Sequence, residues 1–105
     1  LIPSDTSFLE DEILNRSYVY PNPIKDGFGT IRIESKNAKT INLKIFDLMG
    51  FEVAIFNKEL TECCLQINEW VWNTSSLEPG VFFGYLTVSN QKKSSTKILK
   101  IAVMR

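Results

Sequence analysis

Few residues in this 105-residue chain have the types and spacing that chemistry requires. Two cysteines are adjacent, Cys63 and Cys64, in a run where Cys63, Leu65 and Ile67 alternate with Cys64, Gln66 and Asn68. Neighbouring side chains of a strand point to opposite faces, so the pair reads as small apolar strand residues and no disulfide framework is expected. Two thiols make a poor zinc site in a chain without histidine. The same lack removes Ser-His and Cys-His nucleophilic catalysis. The carboxylates are scattered singly; two could meet across a sheet as an acid/base pair, but no spacing singles one out. Gly27 and Gly29 lack the lysine and strand-to-helix setting of a phosphate loop. These residues point to a non-catalytic domain with no cofactor, no metal and no small-molecule substrate.

Binding is the other chemistry to weigh. Tyr18, Tyr20, Trp70, Trp72, Phe82, Phe83 and Tyr85 could stack on sugars from one exposed face, or fill and edge a core. Asn15-Arg16-Ser17 and Asn73-Thr74-Ser75 are glycosylation triplets that matter only in a eukaryotic secreted protein. Twelve basic residues balance twelve acidic ones, which gives no reason to expect nucleic acid. The balance hides a gradient. Asp5, Glu10, Asp11 and Glu12 stand near the start against Arg16 alone, while Lys92, Lys93, Lys97, Lys100 and Arg105 crowd the end without an acid.

The elements that must position these residues are short and mostly extended. A composition 44% hydrophobic and 23% charged is that of a globular domain, and the length suits one core. No apolar run is long enough to span a membrane as a helix. The chain begins at Leu1 rather than Met, as expected of a piece of a longer protein. Residues 1–17 read as a leader in which Ser7-Phe8-Leu9-Glu10 fits a capping box, with Leu9 and Ile13 one helical turn apart. From Tyr18 onward, runs of alternating apolar residues recur between turn signals. Residues 41–48 and 51–57 form a predicted hairpin broken at Gly50. The alternation fails near Glu69, where a bulge or strand end is expected. Leu77-Glu78-Pro79-Gly80 predicts a type II turn with positive φ at Gly80. Gly84 inside an apolar strand marks close packing or a kink. In the last strand Leu99, Ile101 and Val103 share a face, and Ile98, Ala102 and Met104 share the other with Lys100. About seven strands predict an all-β, immunoglobulin-like antiparallel sandwich over 18–105, preceded by the short linker.

The stretch Tyr18-Val19-Tyr20-Pro21-Asn22-Pro23 runs a strand into two prolines. Proline gives no amide hydrogen to a ladder and pushes the preceding residue to extended conformations. The motif is therefore a rigid exit from the first strand, where leader becomes domain. With it the sequence resembles the C-terminal sorting domain (type A) of the type IX, or Por, secretion system of Bacteroidetes. The resemblance rests on Tyr20-Pro21-Asn22-Pro23, on "IFDLMGFEV" from Ile45 to Val53, on "LEPGVF" from Leu77 to Phe82, and on the closing "KILKIAVMR". The chain departs from the family at Phe51, where arginine is frequent, and at Phe82, where tyrosine is usual.

The resemblance implies a non-catalytic address that directs an exported cargo through the periplasm and across the outer membrane. The outer-membrane secretion machinery would be its partner, and a sortase would cut it off in or near the leader. The cargo would then stay at the cell surface, commonly on lipopolysaccharide, or be released. The residues expected to carry sorting or partner contact are Tyr20, Pro21, Asn22, Pro23, Asp47, Gly50, Gly80, Lys97, Lys100 and Arg105. A last strand with lysines and an open edge could offer its backbone to a receptor, and open edges leave room for a weak homodimer. An address read from the tail must be C-terminal, so a stop codon is expected directly after Arg105. The competing expectations are an accessory module that grips polysaccharide through exposed aromatics, and a structural spacer.

Overall fold

The computed structural model describes residues 12–104. The capping box and the side chain of Arg105 lie outside them. Residues 12–14 are helical. Seven strands follow: β1 (Tyr18–Tyr20), β2 (Phe28–Lys36), β3 (Thr40–Phe46), β4 (Glu52–Glu59), β5 (Leu65–Asn73), β6 (Gly80–Ser89) and β7 (Ser94–Val103). They form two antiparallel sheets, β1-β2-β5 and β4-β3-β6-β7, packed as an immunoglobulin-like sandwich. No helix among the described residues is long and apolar enough to cross a membrane.

Alternation decides which faces meet. Ile31 and Ile33 of β2 face Ile41, Leu43 and Ile45 of β3, Leu86 of β6 and Ile101 of β7, all fully or almost fully buried. Trp72 of β5 meets Phe82 of β6 edge-on at 5.9 Å, a contact that ties the two sheets together. Gly84 faces this core because a Cβ there would lie 3.2 Å from Leu43 and 3.4 Å from Leu99, so the close-packing reading holds.

Three local expectations are corrected. β5 begins at Leu65, so Cys63 and Cys64 lie in the exposed turn before it, and their sulfurs are joined in a disulfide. The turn removes the opposite-face geometry on which the contrary expectation rested. Second, β5 pairs with β2 without interruption from Leu65↔Lys36 to Asn73↔Phe28. It turns Trp70 and Trp72 inward and leaves Leu65, Ile67 and Val71 exposed. The two indoles have more surface to bury than the aliphatic residues, and a period of two allows only one set inside. The register shift falls instead beside the β3–β4 hairpin, where Ile45 pairs with Ala54 and Phe46 with Glu52. Third, positive φ among the glycines occurs at Gly27 and Gly50, while Gly80 starts β6 opposite Val103. The turn is closed earlier, by Leu77 N–H donating to the Thr74 carbonyl at 3.0 Å.

Candidate functional site

Because neighbouring strands are antiparallel, β1, β3, β5 and β7 all end at the same end of the sandwich, where β2, β4 and β6 begin. This end is the motif pole. The opposite end, where residues 12–17 enter, is the leader pole.

At the motif pole the chain after β1 folds onto β7. The Asn22 side chain acts as a short piece of strand. Its Nδ2 donates to the Lys100 carbonyl at 2.9 Å, and its Oδ1 accepts from the Ala102 N–H at 3.0 Å. Ile24 continues the pairing: its N–H donates to the Ala102 carbonyl, and its carbonyl accepts from the Met104 N–H, both at 2.8 Å. Proline on each side of Asn22 removes backbone donors, so the side chain supplies the pairing there. Ile24 is fully buried, and a Cβ on Gly29 would collide with it, which accounts for glycine at that position. The last strand is therefore closed along Lys100–Met104, and the expectation of an open edge there is corrected.

The β3–β4 hairpin is built by one carboxylate. Asp47 Oδ1 accepts from the N–H groups of Met49 and Phe51, each at 2.9 Å, and the Asp47 carbonyl accepts from Gly50 N–H at 3.1 Å. Gly50 sits at φ 89°, a left-handed conformation that glycine adopts without penalty. This frame holds Leu48, Met49 and Phe51 in solvent, 69%, 82% and 65% exposed. Between the hairpin tip and the Leu77–Gly80 segment lies a mostly apolar cleft of ≈ 460 Å³. The "DLMG" and "LEPG" motifs, separated in sequence, thus form its two walls.

The structure brings Asn22, Asp47, Gly50 and Gly80 to the motif pole, with Pro21 and Pro23 exposed beside them. Tyr20 lies on the outer face of its sheet, where its hydroxyl donates to Glu69 Oε2 at 2.9 Å. That hydrogen bond, then partial desolvation and the Glu69 charge, hold the phenol above its ordinary pKa. Lys100 is exposed opposite Phe83 on the outer face of the larger sheet. Lys97 is set apart. It shares the inward face with Leu99 at the leader pole, and its Nζ donates to the carbonyls of Asn15 at 2.6 Å and Ser17 at 2.9 Å. Burial pulls its pKa below the ordinary lysine value.

Sequence reading missed the roles of Ile24, Leu14 and Ser17. An isoleucine directly after Pro-Asn-Pro was a usable signal; nothing local marks the other two. The aromatic platform does not assemble. Trp72 and Phe82 are buried, Tyr18 and Tyr20 lie on the outside of one sheet, and Phe83 and Tyr85 on the outside of the other. The described residues hold no group of three His, Cys, Asp or Glu able to bind a metal.

The chain is thus an all-β sandwich with three of its motifs, at Asn22, Asp47–Gly50 and Leu77–Gly80, at one pole. A family model, the secretion system C-terminal sorting domain, matches residues 18–102, and the chain belongs to that family. It is a type IX sorting signal, whose family is generally non-catalytic, and it implies a protein exported across the outer membrane by the secretion machinery. No curated protein matches the chain.

Proposed function

We propose that the motif pole is the face the outer-membrane secretion machinery reads, and that this domain is a passive address with no active site of its own. The observation that carries this is the joining of three separated motifs at one end, with apolar side chains held out in water by the rigid Asp47 turn. Exposed Leu48, Met49 and Phe51 contribute little to folding, and such contiguous apolar surface suits a partner. In this reading Tyr20, Pro21, Asn22, Pro23 and Gly80 shape the pole, Asp47 and Gly50 present its tip, and Lys100 with Arg105 adds charge that favours one docking partner. The cargo precedes the domain, passes through the periplasm, and is held at the surface or released after a sortase removes the address. Edges at β4 and β5 would permit weak self-association.

A reporter fused ahead of this chain, expressed in a bacterium with a type IX system, tests the reading. Met49→Lys with Phe51→Lys should block export while changing stability by about 0.5 kcal/mol or less, as surface substitutions do. Normal export of that variant would refute the motif pole as the recognised face. Deletion of Ser94–Arg105 should also abolish export, but it removes β7 and so unfolds the sandwich as well.

A further inference from the structure

The family match begins at Tyr18, yet the fold begins earlier. Leu14 is 4% exposed and belongs to the hydrophobic core. Ser17 is 2% exposed, and its Oγ accepts from the Glu34 N–H at 3.0 Å, adding a bond beyond the β1–β2 ladder. The carbonyls of this stretch are almost all engaged. Ile13 and Leu14 accept from the N–H groups of Arg16 and Ser17, each at 3.0 Å, and Asn15 and Ser17 accept from Lys97.

Proteases bind their substrates as extended strands, through the backbone groups of the residues around the cut. Residues 13–17 cannot adopt that form without giving up these four carbonyl contacts and exposing Leu14. We infer that residues 12–17 are a latch, closed by Lys97 of β7, that shields the backbone around Arg16 from cleavage while the domain is folded. This rests on the sorting reading only for its biological use: a processing enzyme would be barred from the latch until β7 let go. Lys97 would thereby link β7, whose far end lies at the motif pole, to access at the leader. The Arg16 side chain is 63% exposed and makes only a long 3.8 Å ion pair with Glu34, so the basic group stays within reach and the protection comes from the tied backbone and the buried Leu14.

Trypsin tests this without any secretion machinery, so failure here leaves the sorting reading intact. Arg16–Ser17 is the one tryptic bond within residues 12–20. In the native chain it should be cut far more slowly than the same bond in a synthetic peptide of residues 12–20, followed by mass spectrometry. Lys97→Met keeps the aliphatic stem and removes the donor; it should speed the Arg16 cut about tenfold or more, as loss of charge-assisted bonds raises local opening. Leu14→Ser should do the same. Leu77→Ala, at the other pole, controls for general destabilisation. At matched melting temperature it should leave the Arg16 cut slow. Equal cutting after Arg16 in the native chain and in the peptide, an unchanged rate in Lys97→Met, or equal acceleration in Leu77→Ala would each overturn the latch.

Discussion

The two poles of the sandwich are closed by opposite means. At the leader pole an apolar side chain, Leu14, is driven into the core and a lysine is drawn inward to satisfy carbonyls. At the motif pole the polar groups work inward, Asp47 on its own turn and Asn22 on β7, while Leu48, Met49 and Phe51 are pushed into water. The first arrangement protects backbone. The second presents side chains, at a hydration cost that folding alone gives no reason to keep. β7 serves both, with Lys97 near one end and Lys100–Met104 at the other. A single strand can thus belong to a shielding device and to a displaying one, because successive stretches of it face different neighbours.

Substitutions can separate these roles. The largest effect is expected at Ile24, which fastens the exit motif to the core. Ile24→Ala should cost about 3 kcal/mol in urea unfolding. A cost under about 1 kcal/mol would show that the motif pole is loosely attached. Leu14→Ala should follow at about 2 kcal/mol, lower because its site at the end of the core can collapse. If it proves neutral, the leader pole is not part of the cooperative unit.

Asn22→Ala should cost about 1–2 kcal/mol by leaving the Lys100 carbonyl and Ala102 N–H without their partner. Asn22→Asp keeps the acceptor for the Ala102 N–H but sets a carboxylate oxygen against the Lys100 carbonyl, so it should cost at least as much as Asn22→Ala. Asp47→Ala should cost about 1 kcal/mol, since two turn amides lose their acceptor but remain near water. Its larger consequence should be on export, through a disordered tip.

The smallest effect is a titration. The Tyr20 phenol should ionise at higher pH than ordinary tyrosine, seen in phenolate absorbance. Glu69→Ala should return it toward the ordinary value. A folded pKa raised above the unfolded one gives stability that is present below pH about 10 and lost as pH rises through the folded value. Tyr20 is on the exposed face of its sheet, so thermal unfolding should register little of it.

Much of the fold was legible because strands with one wet face must alternate. β2, β3 and β7 carry that alternation cleanly, and their inward faces follow the pattern. β5 was misread because its first half is aliphatic on the face that ends up wet, and only competition with Trp70 and Trp72 for the same core selects the other phase. The candidate site was legible as motifs but not as a place. Nothing local to Asp47 shows that its hairpin stands across a cleft from Pro79, or that Asn22 reaches a strand about 80 residues later.

The sequence by itself determined the strand content, the turn at Gly50, the rigid exit at Pro21 and Pro23, and the lack of histidine chemistry. Each follows from backbone preference or residue type within a few positions. Only the tertiary structure decided that Asn22 closes the last strand, that Lys97 holds the leader while Lys100 faces solvent, and that Cys63 and Cys64 meet in a turn. Those outcomes depend on which surfaces compete for one core and which backbone groups remain unpaired at its edges, and neither is set until both sheets are in place.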